Sequence, residues 1–348
     1  MRVLDKVKST CLNIVRDLKK VTKVIIIHHW DSDGVSSAAI FSKILCNAEK
    51  YFMVPEIGFY DFRAIDVNLL SSREPDVVII LDYGLPVSEI DKIGSVVSSR
   101  VYVIDHHVTN VCTDYSCNPV ACGLSELDYP STTWVIHEFI KLENVDDLVA
   151  LGIIGDLGGV REDHWSVKWV LEVAEKHGLT LRDFYEAVKK IDSCYKLLDR
   201  ECIDYARNLL EEQGVHGILK DGVLEEKKNL VEEENNSIIN NIKPIEILGQ
   251  IIVYSINKNM YITSSIGRQL AYMNKDRIIM LRHKIPALNT EYVYVRSYKY
   301  NLRQVLEELK KQKLYVGGKD HVFVVSCQNT CSEEVIDKIK KTILTHAL

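Results

Sequence analysis

The sequence predicts an α/β protein with two domains joined by a helical connector. In the first half of the 348-residue chain, short runs rich in valine and isoleucine alternate with amphipathic stretches. This pattern is typical of buried parallel strands with helices on both faces of the sheet. The middle of the chain is charged and helical in pattern. Strand-like runs then return, so we expect a second, smaller α/β domain at the C-terminus.

The N-terminal domain is expected over residues 1–197. After an amphipathic first helix, three segments read as buried strands: VIIIHH, DVVIILDYG and RVYVIDHH. Helix-like stretches separate them, and beyond the third strand the pattern is helical throughout, with Ser131 as the N-cap of the first of these later helices. At the end of the first strand, we expect Gly34 to let the chain turn into a helix beginning near Val35.

The connector is expected over residues 198–247, as a helical segment that ends in a solvated, charged linker. The alternative is a charged helix face within one domain. The C-terminal domain is expected over residues 248–348, where four strand-like runs alternate with amphipathic stretches. These runs are GQIIVYSI, RIIMLRH, EYVYVRSY and DHVFVVSC.

Composition favours an ordinary globular protein, with 47% hydrophobic and 26% charged residues. No apolar run reaches the roughly 18 residues that a membrane-spanning helix needs. The N-terminal stretch lacks the apolar centre of a signal peptide, so we expect a cytoplasmic protein without a membrane partner. Nine cysteines are too few for a secreted disulfide scaffold, and their spacing does not resemble a zinc site. We therefore expect reduced, mostly buried thiols.

Charge is distributed unevenly along the chain. The formal net charge is −6, which gives no general attraction to nucleic acid. From Gln250 to the end, however, Lys and Arg outnumber Asp and Glu by 16 to 8, whereas the remainder has 27 basic and 41 acidic residues. A basic C-terminal part beside an acidic body fits an anionic ligand bound by the second domain. The alternative is a chance split of surface charge.

Each of the three N-terminal strands ends in acidic or imidazole side chains. The segments are HHWDSDG at 28–34, DYG at 82–84 and DHH at 105–107. In an open parallel sheet, ligands bind beyond the carboxyl ends of the strands. Several carboxylates in one crevice repel one another unless cations neutralise them. Mixed carboxylate and imidazole ligands suit Mn²⁺ or Co²⁺, and also Zn²⁺ or Fe²⁺. Room for two ions indicates a site that polarises a phosphoryl group and activates water.

These motifs resemble those of the DHH phosphoesterase superfamily, which includes RecJ-type exonucleases, nanoRNases and cyclic-dinucleotide phosphodiesterases. The matching positions are His29, Asp31, Asp33 and Gly34 in the first motif, Asp82 in the second, Asp105, His106 and His107 in the third, and Asp156 of LGIIGDLGG in the fourth. Order and spacing both agree with the family. The second half of the chain is similar to the DHH-associated C-terminal domain, and the resemblance implies an active-site cleft between the two domains.

The resemblance implies a role for each of these residues. It implies two divalent metal ions, with Mn²⁺ preferred over Mg²⁺ or Co²⁺, and a bridging water as the nucleophile. The implied metal ligands are His29 and Asp31 for one ion, Asp33, His106 and Asp156 for the other, and Asp82 as a bridge. His107 would contact the scissile phosphate as a binder or proton donor, and Asp105 would orient its neighbours.

Three nearby residues are open to two interpretations. His28 points to the opposite face of the strand from His29, because side chains alternate along a strand, and we interpret it as a core residue. Trp30 fits either base stacking or packing. His164 fits a solvated loop better than a site.

In the C-terminal half, YVRSYKYNL and VGGKDH are similar to the Arg-Ser and glycine-rich-His signatures of the associated domain. The resemblance implies that Arg296, Ser297, Gly317, Gly318 and His321 bind substrate, with the glycines admitting a phosphate close to the backbone. The family usually continues from its histidine with small residues, whereas valine and phenylalanine follow here.

The leading functional hypothesis is a metal-dependent phosphodiesterase or exonuclease that acts on single-stranded RNA or DNA ends or on short oligonucleotides. A second enzyme hypothesis is hydrolysis of a cyclic dinucleotide or of 3′-phosphoadenosine 5′-phosphate. The non-enzymatic alternative is a replication-associated scaffold that keeps the fold without the metals. A replication or repair complex is compatible with each of these hypotheses, and the sequence leaves the oligomeric state open, with a dimer compatible.

Overall fold

The structure, a computed structural model, describes residues 3–108, 112–157 and 164–347. It confirms the α/β class, with a five-stranded parallel sheet followed along the chain by a six-stranded mixed sheet. The chain divides into two compact units. The first comprises the described residues up to Tyr195 together with Asp199–Lys228, and the second comprises Lys196–Leu198 together with the described residues from Asn229 onward.

The first unit is built around its parallel sheet. Its strands are β1 (Lys23–His28), β2 (Glu49–Met53), β3 (Val77–Leu81), β4 (Arg100–Ile104) and β5 (Ser116–Cys117). Its helices are α1 (Val3–Leu18), α2 (Ser32–Ile44), α3 (Val67–Arg73), α4 (Val87–Val97), α5 (Thr132–Ile140), α6 (Asp146–Leu157), α7 (Trp165–His177), α8 (Leu181–Lys196) and α9 (Arg200–Lys220), followed by α10 (Gly222–Asn241), which continues into the second unit.

The second unit is built around its mixed sheet. Its strands are β6 (Glu246–Leu248), β7 (Ile251–Asn257), β8 (Ile278–Ile285), β9 (Thr290–Ser297), β10 (Val316–Lys319) and β11 (Val322–Gln328), and its remaining helices are α11 (Thr263–Met273), α12 (Arg303–Lys311) and α13 (Glu333–His346). Among the helices of both units, within the described residues, none has the length and apolar composition required to cross a bilayer.

The first sheet has the strand order β2-β1-β3-β4-β5, with every pair parallel. The three strands predicted from the sequence are therefore its three adjacent central strands. Strands β1 and β3 are almost wholly apolar and buried, as expected for strands covered on both faces. Their register is level, because His28 pairs with Leu81 and Leu81 pairs with Ile104. The three strands consequently end at the same height in the sheet.

The first helix of the chain packs against the far edge of this sheet. Its buried residues recur every three or four positions, as an amphipathic helix requires. Cys11 of α1 forms a disulfide with Cys117 of β5. Three further disulfides occur: Cys112–Cys122, Cys194–Cys202 and Cys327–Cys331. The expectation of reduced thiols was therefore wrong for eight of the nine cysteines: one disulfide joins residues with a sequence separation of 106, and the other three join residues separated by 10, 8 and 4. Cys46 is the free cysteine in the part of the chain that the structure describes.

The helix after β1 begins earlier than the sequence suggested. It starts at Ser32 instead of near Val35, because the Asp31 side chain accepts a hydrogen bond from the Gly34 backbone and caps the helix. Gly34 therefore lies inside the first turn of α2. A Cβ atom at this position would lie 2.5 Å from the carbonyl oxygen of His29, so Gly34 permits a close approach of the helix to the end of β1.

The connector is helical, as expected, but its charged end forms a helix where we expected a solvated linker. Residues 200–220 form α9, whose inner face buries apolar side chains such as Ile203 and Leu210. The segment with the highest charge then forms α10, which buries Leu224, Val231 and Ile238 at wide spacing. Spacing of seven residues places these three side chains on one helical stripe, a sparse pattern that the surrounding charges obscure in the sequence.

The second sheet has the strand order β10-β11-β9-β8-β7-β6, and only β7 and β8 pair in parallel among the described strands. One face packs on α12 and α13, and the other packs on α11 and the end of α10. The segment VGGKDH forms the β10–β11 hairpin. The Arg-Ser segment lies at the end of β9, directly beside β11, where Arg296 pairs with Val322.

The disulfide between Cys11 and Cys117 should stabilise the first unit, because it closes a loop with a sequence separation of 106. Replacing both residues with alanine should lower the free energy of unfolding by on the order of 4 kcal/mol. The control, Cys46→Ala, should change it by less than about 0.5 kcal/mol. Urea unfolding measures both values. Alkylation of Cys11 in the unfolded, unreduced protein would contradict this pairing.

His283 should make the stability of the second unit depend on pH. Burial lowers the pKa of His283 from 6.5 to about 4, and the neutral ring hydrogen-bonds Thr263 and the Lys258 carbonyl. Between pH 6.5 and about pH 4, the unfolded chain binds a proton at His283 and the folded chain does not. The free energy of unfolding therefore decreases as the pH falls. Between pH 7 and pH 5 the native protein should lose about 2 kcal/mol more than a His283→Asn variant. Equal losses in urea unfolding would refute this explanation.

Candidate metal centre

The predicted site residues of the first unit converge at the carboxyl ends of three adjacent strands. The first residues beyond β1, β3 and β4 are His29, Asp82 and Asp105. Each continues the sheet's hydrogen bonding by one step, because its backbone N–H donates to the neighbouring strand at 3.0–3.2 Å. The three side chains therefore start from one level edge, as a parallel sheet in this register requires.

Asp82 is the central member of the cluster. Its backbone is left-handed, with a φ of 57°, a conformation that non-glycine residues adopt at a cost and often at functional positions. Its side chain is 1% exposed. One carboxylate oxygen, Oδ1, accepts a hydrogen bond from the Thr132 hydroxyl at 2.9 Å. The other, Oδ2, is buried and has no hydrogen-bond donor among the described residues.

His29 and Asp31 form a first group with Asp82, in which one ligand atom of each lies within 4.8 Å of the others. The Nδ1 atom of His29 is 2.8 Å from Asp31 Oδ2 and 3.9 Å from Asp82 Oδ2. Its other ring nitrogen, Nε2, lies 3.1 Å from the Tyr60 hydroxyl. A partner on the second nitrogen fixes the ring orientation, as is usual for a metal-binding histidine.

A second group comprises Asp33, His106, Asp156 and again Asp82. The Nε2 atom of His106 is 2.8 Å from Asp156 Oδ2 and 3.6 Å from Asp82 Oδ1. Its Nδ1 atom lies 3.2 Å from the Tyr129 carbonyl, to which it donates a hydrogen bond. In the neutral ring that bond leaves Nε2 as the lone-pair nitrogen, so Nε2 is the atom suited to bind a cation.

Asp33 is held by the N-terminus of α5. Its two carboxylate oxygens accept hydrogen bonds from the backbone N–H groups of Thr132 and Thr133, at 2.7 and 3.1 Å. Helix α6, which carries Asp156, packs directly against this arrangement through Gly152. A Cβ atom there would lie 2.3 Å from Asp33 Oδ1 and 2.2 Å from the Thr133 hydroxyl. Gly152 is therefore needed for α6 to approach Asp33.

Asp105 is fully buried and orients the two histidines that follow it. Its Oδ1 atom accepts hydrogen bonds from the backbone N–H groups of His106 and His107, and it lies 2.7 Å from His107 Nδ1. Its Oδ2 atom accepts a hydrogen bond from the Gly84 backbone. His107 retains 40% of its side-chain exposure and contacts Asp82 less closely, at 3.8 Å. Asp105 thus acts on His107 as a carboxylate that fixes the imidazole.

The pKa values reflect the crowding of like charges. Burial and the neighbouring carboxylates raise the pKa of Asp82 well above its usual range, and burial together with Asp156 raises that of Asp33 to about 7. Burial disfavours charge on Asp31 too, but the adjacent His29 outweighs it and lowers its pKa to about 2. For His106, burial is likewise outweighed by Asp156, and its pKa rises to about 9.

These observations fit bound divalent cations. The two groups share Asp82 with a third group, of Asp82, His106 and His107, and each of the three offers both carboxylate and imidazole ligands, a set suited to Mn²⁺, Zn²⁺ or Fe²⁺. Cations would neutralise the repulsion that raises the pKa values of Asp33 and Asp82. They would also supply a partner for the buried Oδ2 atom of Asp82. Asp31 and Asp156 each keep about a quarter of their side-chain surface exposed, at 25% and 24%, so the cluster is open on one side.

The neighbouring aromatic and imidazole residues have structural surroundings. His28 is fully buried, and its Nδ1 atom bonds the His29 carbonyl; burial lowers its pKa to about 3, which keeps it neutral. Trp30 is 1% exposed and packs on His29 and Tyr60, which favours packing over base stacking. His164 caps α7 by accepting a hydrogen bond from Ser166.

The predicted substrate-binding residues lie together within the second unit. The backbone N–H of Ser297 donates to the His321 carbonyl at 3.1 Å, and Arg296 lies beside Val322 of β11. Gly317 and Gly318 belong to the exposed edge strand β10. A Cβ atom at Gly318 would lie 2.2 Å from the Val322 carbonyl oxygen, so this glycine is required by the hairpin itself.

Ser297 has a structural environment that the sequence did not indicate. It is fully buried. Its hydroxyl donates to the Arg277 carbonyl at 3.0 Å and accepts from the backbone N–H groups of Lys299 and Tyr300. The hydroxyl therefore closes the turn after β9 and does not face a ligand. Arg296 is partly buried, with its guanidinium 3.2 Å from the Tyr294 hydroxyl.

Sequence reasoning missed the residues that hold the cluster in place. Thr132 and Thr133 followed a predicted N-cap and carried no metal motif, although the backbone N–H groups at a helix start are suited to bind a carboxylate. Tyr60 lies in a loop without a recognisable pattern. Gly152 carried a signal, because LGIIGD repeats glycine at a three-residue interval on a helix that also bears Asp156.

Comparison with known families identifies the N-terminal part of the chain. Residues 23–153 match the DHH family, N-terminal domain. This segment includes the motifs at the ends of β1, β3 and β4, and it stops just before Asp156. No curated protein sequence matches the chain with significant similarity.

Comparison with solved structures extends over the whole chain. The DHH domain of a protein described as a member of a family of ribosomal proteins has 19% identity and a TM-score of 0.71, with 99% of this chain and 92% of that one covered. RecJ from Thermus thermophilus in complex with Mn²⁺ has 15% identity and a TM-score of 0.64, with 98% and 54% covered. An exonuclease RecJ bound to manganese has 16% identity and a TM-score of 0.59, with 98% and 94% covered. This chain thus spans about half of the Thermus protein, and at these identities the likeness concerns the fold.

Replacing Gly152 with alanine should weaken metal binding, because the added methyl group would displace Asp33 and Thr133. A change in the residues that position a metal ligand typically lowers the affinity for the metal about 10- to 100-fold. Calorimetric titration with Mn²⁺ measures this. Gly94→Ala is the matched control, since a Cβ atom there meets only Val101 at 3.7 Å, and its affinity should be unchanged. Equal affinities for the two variants would show that α6 does not position Asp33.

Proposed function

We propose that this chain, whose residues 23–153 match the DHH family, N-terminal domain, belongs to the DHH phosphoesterase superfamily and is a phosphodiesterase that hydrolyses the ends of single-stranded RNA or DNA, or short oligonucleotides. Membership of the superfamily supports a metal-dependent hydrolase of phosphoester bonds. The finer proposal, an exonuclease or nanoRNase that prefers Mn²⁺, draws on the basic second unit and on the likeness to RecJ structures.

The arrangement around Asp82 is the observation that carries the proposal. A buried carboxylate that is shared by two ligand groups, with one oxygen lacking a donor among the described residues, is costly in a purely structural role. It is well suited to bridge two cations. We propose His29 and Asp31 as ligands on one side of Asp82, and Asp33, His106 and Asp156 on the other.

Bound divalent ions would polarise the phosphoryl group. They would also lower the pKa of a water molecule, so that it could lose a proton and attack the phosphorus as hydroxide. The chain's own residues prepare the site for this chemistry. Tyr60 and the Tyr129 carbonyl hold the rings of His29 and His106 in fixed orientations. Thr132 hydrogen-bonds Asp82 and Asp33 simultaneously, through its hydroxyl and its backbone N–H. These contacts restrict the carboxylates to one geometry before substrate arrives.

His107 is the proposed contact with the scissile phosphate. The Asp105 carboxylate accepts a hydrogen bond from the His107 Nδ1 atom, so Nε2 is the atom that would contact a phosphate or leaving-group oxygen and, in a doubly protonated ring, donate a proton to it. Burial raises the pKa of Asp105, but the His107 imidazole and the surrounding N–H donors outweigh this effect and hold the pKa at about 2. Asp105 therefore stays ionised and fixes the orientation of the His107 ring through its hydrogen bond.

The second unit supplies the reason to favour a nucleic-acid substrate. Beyond Gln250, basic residues outnumber acidic ones by 16 to 8, and an excess of positive charge attracts phosphate chains. We propose that Arg296 and His321 bind a phosphate, sugar or base of the substrate, with the glycine-containing β10 hairpin beside them. Ser297 contributes by shaping the turn through its buried hydroxyl.

The two alternatives receive less support. A scaffold without metals would have no use for a complete ligand set, whereas all six proposed ligands fall within the two groups around Asp82. A small cyclic or bisphosphorylated nucleotide would use the same metals. The hypothesis of a small-nucleotide substrate does not explain why the second unit is predominantly basic. Comparing kcat/KM over a panel of substrates separates this hypothesis from the leading proposal.

Digestion of end-labelled RNA and DNA oligomers of graded length with Mn²⁺ tests the proposal. Single strands should be shortened progressively. Asp82→Asn, which preserves shape but removes the charge, should abolish hydrolysis. His107→Ala should lower kcat by about 10²- to 10⁴-fold and leave Mn²⁺ affinity unchanged, since general acid catalysis contributes that much.

Asp91→Asn is the matched control, because Asp91 is exposed on α4, and it should retain full activity. The proposal fails if the native protein leaves single strands and dinucleotides of both sugars intact while binding Mn²⁺. Hydrolysis that is equally fast in Asp82→Asn would show that the activity comes from a contaminant or from another site.

A further inference from the structure

We propose that the second unit carries a base-stacking site for single-stranded nucleic acid, formed by Tyr272 and Tyr298 with Lys275 and Arg296. We call these four residues the tyrosine strip. The proposal deepens the proposed function by naming how a strand would be held beyond its terminal phosphate, and so it rests on that function. Tyr272 and Lys275 lie outside the motifs discussed above, and Tyr298 lies within the segment YVRSYKYNL without a role assigned to it.

The four side chains form a continuous series of contacts. The Arg296 guanidinium lies 5.1 Å from the centre of the Tyr298 ring. The Tyr298 ring lies 6.4 Å from that of Tyr272, and the two planes are nearly perpendicular, at 84°. The Lys275 ammonium group then lies 4.2 Å from the centre of the Tyr272 ring. Two adjacent aromatic rings are therefore flanked by two cations, and a combination of cations and exposed rings can bind backbone phosphates and bases together.

Tyr272 is unusually exposed for a large aromatic residue, at 61%. It stands at the end of α11, and the next residue, Met273, is equally exposed at 61%. Tyr298, in contrast, is half-buried and packs against the core under α11. The tyrosine strip thus has one half-buried ring, that of Tyr298, and one exposed ring, that of Tyr272. Exposed tyrosine faces attract unpaired bases, and this stacking tolerates any base because every base has an aromatic face.

The charge around the strip is favourable to a phosphate backbone. Besides Lys275 and Arg296, Lys299 lies in the same turn and contacts the Tyr300 ring at 5.6 Å. One acidic residue, Asp276, lies 3.8 Å from Lys299. Positive charge therefore predominates, in keeping with the basic balance of the whole C-terminal part. A purely apolar docking patch for a protein would not require cations placed on the ring faces.

The strip also adjoins the residues proposed to bind the substrate. Arg296 belongs to both sets, and the His321 carbonyl accepts the backbone N–H of Ser297, the residue between Arg296 and Tyr298. The Nδ1 atom of His321 hydrogen-bonds the Tyr300 carbonyl. A strand whose phosphate lies near Arg296 and His321 could therefore place a following base on Tyr298 or Tyr272. The site would favour oligonucleotides over single nucleotides.

Fluorescence anisotropy with the full chain in EDTA tests the stacking site without hydrolysis. The probe is a labelled single-stranded DNA oligomer of about ten nucleotides. Tyr272→Ala should weaken binding about tenfold, the typical loss for one stacking side chain. Tyr272→Phe keeps the ring and should restore most of the affinity. A duplex of the same length should lose little affinity with Tyr272→Ala, because its base faces are already stacked.

Tyr315→Ala is the matched control, since Tyr315 is exposed to a similar extent, at 57%, in the same unit; it should bind like the native protein. Native affinity in Tyr272→Ala would overturn the proposal and leave Tyr272 and Met273 as a docking patch for another protein. Equal losses for single strands and duplex would also overturn it. Because binding is measured without metal, failure of the hydrolysis assay would refute the proposed activity and leave this result standing.

Discussion

Mutual repulsion among buried carboxylates is the constraint on which the first unit depends. Asp33, Asp82 and Asp105 are each at most 1% exposed, and a charge without compensation costs several kcal/mol in such a place. Asp105 is compensated by N–H donors and His107, and Asp33 by the N-terminus of α5. Asp82 receives one hydroxyl. The raised pKa of Asp82 shows that its negative charge lacks compensation. Bound cations would supply that compensation, so the arrangement of these carboxylates is suited to bind metal ions.

The fold meets this constraint by close packing at the level end of the sheet. Three parallel strands stop at one height, and the first turns of α2 and α5 bring N–H donors to the carboxylates. Helix α6 can then deliver Asp156 only because Gly152 leaves room beside Asp33. A methyl group at Gly152 would clash with Asp33 and Thr133. The motif LGIIGD therefore contains a glycine that the packing requires as well as the candidate ligand Asp156.

The sequence predicted those parts of the site that follow from local pattern. The buried strands and the polar residues at their ends have recognisable spacing, and a parallel sheet brings them together. Thr132 and Tyr60 could not be predicted, because their roles arise from contacts with Asp82 and His29 that lie far away in sequence. The disulfide between Cys11 and Cys117 was missed for the same reason, because the two residues become neighbours only when α1 packs on β5. Charge in α10 concealed a stripe of three buried residues.

We propose that Asp82 would be a ligand to both of two bound cations. Anomalous diffraction from crystals grown with Mn²⁺ tests it most directly, because it locates the ions without reference to activity. The account predicts two peaks about 3.5–4 Å apart, one beside His29 and Asp31 and the other beside His106 and Asp156, with Asp82 between them. An absence of peaks at Asp82, or an ion bound only elsewhere in the first unit, would contradict it.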